Sequence, residues 1–163
     1  MAIEHWFEEA IAAYHRKEFA KAEALLKQGL QNNPSHLEGL YALAQLTFNA
    51  NNFKESFDGV AQGLHYYPNH APLLYLNGLL YIKANQWDNA QLHFRKCVDV
   101  DSKHERALFQ LGRYHKQKNE FAIAEAYFRK ALAIDPNEYS TLNNLANTLQ
   151  PVSYTHLRAH ETK

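Results

Sequence analysis

The strongest limit on how this chain can fold is a repeat of constant length. Asn32-Asn33-Pro34, Tyr66-Tyr67-Pro68 and Ile134-Asp135-Pro136 each close a helical stretch, and Val100-Asp101-Ser102 fills the same slot without proline. Pro34, Pro68, Ser102 and Pro136 are each 34 residues apart. A fixed period of this size marks an array whose units bury their apolar faces only by stacking on one another. The frame gives units 3–36, 37–70, 71–104 and 105–138, with a partial fifth at 139–150. An ordinary helical bundle would not keep a constant period.

Within the frame, residue size recurs at helical spacing. The fourth position is large and apolar (Trp6, Leu40, Leu74, Leu108, Leu142). One turn later the residue is small: Ala10, Ala44, Gly78, Gly112 and Ala146. Small residues there let a second helix approach closely. The seventeenth position is aromatic (Phe19, Phe53, Trp87, Phe121) and the twentieth small (Ala22, Ser56, Ala90, Ala124). The twenty-seventh is small again, with Gly29, Gly63, Cys97 and Ala131. Each unit therefore reads as two amphipathic helices. The turn between them carries Lys17, Asn51, Asn85 or Asn119. Asn suits the left-handed conformation that ends many helices, whereas Lys does not, so the first unit is expected to be the least tightly specified.

These residues resemble the tetratricopeptide repeat (TPR), with Gln110-Leu111-Gly112 and the run from Ala124 to Pro136 matching its pattern closely. Glu9 and Asn77 depart from the usual Leu, Ala13 and Thr47 from the usual Tyr, and Ser102 from the closing Pro. The resemblance implies an all-α, right-handed superhelical solenoid of antiparallel helix pairs, with about four full repeats and a partial fifth across residues 1–150. It also implies a protein-interaction scaffold whose first helices line a concave groove for a peptide or a helix.

The C-terminal stretch is of another kind. Pro151 is expected to interrupt the first helix of the fifth unit. The string from Val152 to Thr162 resembles a translated sequencing adapter, so 151–163 reads as a non-native tail. On that reading the natural frame continues past Gln150, and the polar cap that closes a repeat array is missing.

At roughly 100° per residue, first-helix positions four, seven, eight and eleven share the packing face, and positions two, five, six, nine, twelve and thirteen the opposite one. The second set is expected to line the groove. Its principal members are Phe7, Ile11 and Tyr14, then Tyr41, Gln45 and Phe48, then Tyr75, Leu79 and Ile82. Arg106, Phe109, Gln110, Arg113 and Lys116 come next, then Asn144 and Asn147. The face turns from aromatic and aliphatic to basic and then to Asn-rich, which suits a peptide that is apolar with an acidic end. The carboxylate clamp that some family members use on chaperone tails is not expected. Its matching positions hold Phe7, Ile11, Ala42, Pro72 and Leu76, or one unit on, Tyr41, Gln45, Leu76, Arg106 and Gln110.

Charge and composition narrow the remaining classes. Seventeen Lys and Arg balance seventeen Asp and Glu, which argues against a nucleic-acid partner. No apolar run is long enough to span a membrane, and Glu4, Glu8 and Glu9 sit where a signal peptide would be apolar, so a cytoplasmic location is expected. The single Cys97 forbids an internal disulfide. His36, His70 and His104 recur at the unit boundary and read as turn residues rather than metal ligands. His115 reads as an interface residue and Cys97 as a packing residue. No Gly-rich phosphate loop occurs, and neither catalysis, a metal nor a cofactor is expected. The alternative to a stand-alone scaffold is a substrate-recruiting segment of a glycosyltransferase, sulfotransferase or isomerase with its catalytic part after residue 150. A third reading is a spacer that self-associates.

Overall fold

In the computed structural model, the backbone of residues 5–160 and the side chains of residues 5–149 are described. The described residues form nine α-helices and no strand. They are α1 (His5–His15), α2 (Phe19–Asn32), α3 (Leu37–Asn49), α4 (Phe53–Tyr66), α5 (Ala71–Lys83), α6 (Trp87–Val100), α7 (Glu105–Gln117), α8 (Phe121–Ile134) and α9 (Tyr139–His160). Among them, no helix is long and apolar enough to cross a membrane. The chain divides into two compact units, Met1–Gln86 with α1 to α5 and Trp87–Lys163 with α6 to α9.

In the first unit the small positions are contact points between helices. Ala10, Ala22 and Ala44 are buried to 1% exposure or less, as is Ser56, whose hydroxyl donates to the Ala44 carbonyl at 2.7 Å. That bond joins α3 to α4 and satisfies a hydroxyl that would otherwise be costly to bury. The Trp6 indole lies against Gly29, where a Cβ would overlap the ring. Two apolar clusters result, one around Ala13, Leu26 and Leu46, the other around Val60, Leu73 and Leu80. Adjacent repeats are also tied through their loops, since the Tyr67 hydroxyl donates to the Ser35 carbonyl at 2.6 Å and Gln62 Nε2 to the Pro34 carbonyl at 3.1 Å.

The second unit repeats the scheme with larger side chains. Phe94, Leu108, Leu111 and Phe128 are almost fully buried around the small residues Ala90, Cys97, Ala107, Ala124 and Ala131. Burying a side chain the size of Phe128 contributes about 1.5–3 kcal/mol relative to leaving it in water. Burial pushes the Cys97 thiol up to about 12, which leaves it an inert packing group.

In both units the first helices bury two positions beyond the expected packing set. Leu73, Ala107 and Thr141 occupy the third position, and Leu46, Leu80 and Thr148 the tenth, all buried. The cause is that α3, α5, α7 and α9 each pack on the helix before them as well as, where one follows within the unit, on the helix after. α3 and α7 are thus covered on two sides, which a single amphipathic stripe does not describe.

All four turns between helices within a repeat have the same shape. Lys17, Asn51, Asn85 and Asn119 lie at φ between 57° and 63°. Past each, a backbone N–H reaches back five residues: Glu18 to Ala13, Asn52 to Thr47, Gln86 to Tyr81 and Glu120 to His115, at 2.8–2.9 Å. This is a Schellman closure, and the first repeat adopts it with lysine in place of asparagine.

The unit-boundary histidines are helix caps. Nδ1 of His36, His70 and His104 accepts from the backbone N–H of Gly39, Leu73 and Ala107, at 2.9, 3.3 and 3.2 Å. Those of Gly39 and Leu73 are donors that the first turn of a helix leaves unpaired, while the Ala107 N–H also reaches the His104 carbonyl at 3.1 Å. Ser102 stands in the loop before His104, and the same turn forms there, with the His104 N–H bonded to the Asp101 carbonyl at 3.0 Å.

The expected break at Pro151 does not occur, because α9 continues to His160. A proline already has a helical φ and forfeits one hydrogen bond, a cost that the rest of a 22-residue helix can absorb. The expected tail therefore shares the backbone of α9 as far as His160, and 161–163 lie outside the described residues. Two of the fifth unit's expected packing residues are exposed: Leu142 at 44%, and Ala146. Their counterparts Leu108 and Gly112 are covered by α8, and no second helix covers this face of α9 among the described residues.

Candidate functional site

The first unit carries an apolar face built from its first helices. Phe7 and Ile11 of α1, Leu37, Glu38, Tyr41, Ala42 and Gln45 of α3, and His70 ahead of α5 enclose a groove of about 360 Å³. A narrower hollow of about 160 Å³ lies between Ile11, Tyr14, Gln45 and the core residues Ala10, Ala22, Leu26 and Leu46. Of the expected residues, Phe7, Ile11, Tyr14, Tyr41 and Gln45 are thus brought together. Phe48 belongs partly to the core, packed against the second apolar cluster with its ring 5.7 Å from Phe53. Lys83 Nζ stands 6.0 Å and 5.8 Å over those two rings. Tyr75, Leu79 and Ile82 are half-buried on α5 and line neither hollow.

The second unit carries a basic face. Trp87, Arg113, Lys116, Gln117, Asn119 and Asn144 surround an open cleft of about 520 Å³. The Arg113 guanidinium lies 5.4 Å from the Trp87 ring centre and 5.9 Å from that of Phe109, and it donates to Gln110 Oε1 at 3.1 Å. Stacking and hydrogen bonding hold the cation in one orientation. Lys116 Nζ donates to Asn144 Oδ1 at 3.3 Å. Among the described residues, neither cation has a carboxylate within ion-pair distance. Arg106 is exposed at the start of α7, outside the cleft lining. Asn147 is exposed and donates to Asn143 Oδ1 at 3.4 Å.

One expected position changes role. Periodicity makes the sixth residue of a first helix groove-lining, yet Gln110 is 9% exposed, Leu76 is 5% exposed and Ala42 is half-buried. Ala42 packs against the first apolar cluster and Leu76 belongs to the second. Conversely, His70 and Trp87 line the two clefts although the periodic reading places them in a turn and a packing slot. The signal for His70 lay in its position: the residue capping α5 stands beside Tyr41, with ring centres 6.0 Å apart. His115 is an interface residue, stacked on Tyr127 with ring centres 5.4 Å apart and paired through Nδ1 with Glu120 at 2.5 Å. Among the described residues, no group of three His, Cys, Asp or Glu side chains is placed to hold a metal ion.

Helix pairs repeating every 34 residues define a helical-repeat scaffold for protein interaction. The chain belongs to the tetratricopeptide repeat family, whose models match residues 4–67, 71–104 and 105–138. Its fold is similar to solved structures of TPR proteins. A crystal structure of MamA aligns over 94% of this chain and 86% of its own, with TM-score 0.79 at 14% identity. PilF of Pseudomonas aeruginosa aligns over 92% and 68%, with TM-score 0.80 at 19% identity. YrrB, described as a TPR protein with an unusual peptide-binding site, aligns over 91% and 76%, with TM-score 0.75 at 19% identity. At these identities the likeness concerns the fold. A search among curated proteins finds no match.

Proposed function

We propose that this chain is a scaffold that holds peptide or helical segments of other proteins on the first-helix faces of its repeats. The observation that carries this reading is the separation of the two faces by chemistry. Phe7, Ile11 and Tyr41 offer the first unit's groove apolar area. Arg113 and Lys116 offer the second unit's cleft two cations without carboxylate partners among the described residues. Apolar side chains of a ligand would bury in the former and carboxylates would meet the latter, where a guanidinium already oriented by Trp87 loses little freedom on binding. The peptide-binding site named for YrrB supports the reading by likeness of fold. The burial of Leu76 and Gln110, both at clamp positions, supports the expectation that no chaperone-tail clamp operates here.

The test is selection of a displayed random peptide library on the immobilised protein. Enriched peptides should combine aromatic or aliphatic residues with Asp or Glu. Tyr41→Ala should abolish the apolar preference while leaving the helical circular-dichroism signal unchanged. Enrichment identical on the native protein and on Tyr41→Ala would exclude the α3 face as the binding surface.

A further inference from the structure

The histidine caps are an unusual choice. Asn, Asp, Ser and Thr cap helices with groups that stay acceptors near neutral pH, whereas an imidazole is an acceptor only while its Nδ1 is unprotonated. Here the same geometry recurs at His36, His70 and His104, each Nδ1 facing a backbone N–H of the helix it precedes. Protonation converts that nitrogen into a donor aimed at another donor. It also places a positive charge at the positive end of the helix dipole.

We propose that these caps make the repeats an acid-sensitive switch: mild acidification uncaps α5 and α7, loosening the first helices of the third and fourth repeats. The neighbours of each ring decide which cap responds. Nε2 of His36 lies 3.8 Å from the Glu38 carboxylate, while Trp6 and Phe7 cover the ring at 4.9 and 5.0 Å between centres. The switch is assigned to the other two caps, those of α5 and α7. His70 faces the Tyr41 ring, and Glu38 acts on it only at longer range, less strongly than its burial. His104 is flanked by Asp101 and Arg106, which oppose each other. Burial holds both His70 and His104 below the usual histidine range. The folded chain therefore keeps both neutral where the unfolded chain takes up protons. Their contribution to stability is complete above about pH 6.5 and is lost as the pH falls below it. His93, half-buried on α6 with Lys96 acting on it, is also shifted toward the neutral form and adds to the acid response without capping a helix, so the caps must be separated from it. Because His70 also lines the first unit's groove, uncapping α5 would disturb that wall.

The experiment compares the native chain with the double variant His70→Asn, His104→Asn, since asparagine caps at every pH used. The native Tm should fall by roughly 5 °C between about pH 7.5 and about pH 5.5, and the double variant should lose less than half of that. An equal fall in both would overturn the proposal. Nitrogen NMR of the native chain at neutral pH gives a second reading that needs no variant. Nδ1 of His70 and His104 should carry the shift of an unprotonated acceptor, with the proton on Nε2. Protonated Nδ1 atoms would overturn the proposal equally. Neither measurement uses a partner, so the switch and the peptide-binding reading stand or fall separately.

Discussion

Lys17 occupies a backbone conformation that costs a side chain with a Cβ about 1–2 kcal/mol, and it does so at φ 63°. The surrounding contacts compel it: the Glu18 N–H must reach the Ala13 carbonyl if α2 is to lie back on α1. Lys17→Gly should therefore raise stability by about 0.5–1 kcal/mol, the relief of local strain outweighing the freedom glycine adds to the unfolded chain. Urea denaturation would check it, and a lower midpoint would contradict the strain argument. Gly112 is the reverse case. A Cβ there would stand 2.5 Å from Cε1 of Phe128, a ring buried on all sides. Gly112→Leu should cost about 1–3 kcal/mol in the same assay, through displacement of that ring. The need for a small residue at this position was legible in the sequence. The identity of the side chain pressing on it was not, because Phe128 lies on the other helix of the pair.

Among the helices, the burial of a given repeat position depends on whether a second helix packs over it. Leu108 and Leu142 hold the same place in consecutive units, yet the first is 2% exposed beneath α8 and the second 44% exposed on α9. Leu108→Ala should destabilise the chain by about 2–5 kcal/mol, whereas Leu142→Ala should change it by less than about 0.5 kcal/mol. Equal losses in thermal or chemical denaturation would mean that α9 is covered on that face in solution. The same helix is where residue chemistry alone misleads, since Pro151 in isolation points to a helix end. A proline biases a helix against continuing but does not forbid it.

Across the whole molecule, formal charge is balanced while its distribution is not. Seventeen basic and seventeen acidic residues cancel, yet among the described residues the cleft around Arg113 and Lys116 has no carboxylate in its lining. An acidic peptide selected on the native protein should bind more weakly as salt rises through the physiological range, because exposed charges are screened over about 8 Å at that ionic strength. Arg113→Glu should weaken binding and flatten the salt dependence, as titration calorimetry at several salt concentrations would read. Salt-independent affinity for the native protein would remove the second unit's cleft from the binding surface.

The properties legible in the chain alone are periodic and local. The 34-residue spacing, the paired helices, the small contact positions and the turns at Asn51, Asn85 and Asn119 come from helical geometry and backbone preference, both of which act over a few residues, whereas packing imposes the same turn on Lys17. Five of the expected groove residues, Phe7, Ile11, Tyr14, Tyr41 and Gln45, could be placed together for the same reason. Packing in three dimensions was needed to bury the sixth position, to draw the third and tenth into the core, and to bring His70 and Trp87 into the clefts. Burial is set by neighbours that are distant in sequence, and a helix covered on two sides has a wider hidden arc than its own amphipathic stripe reveals.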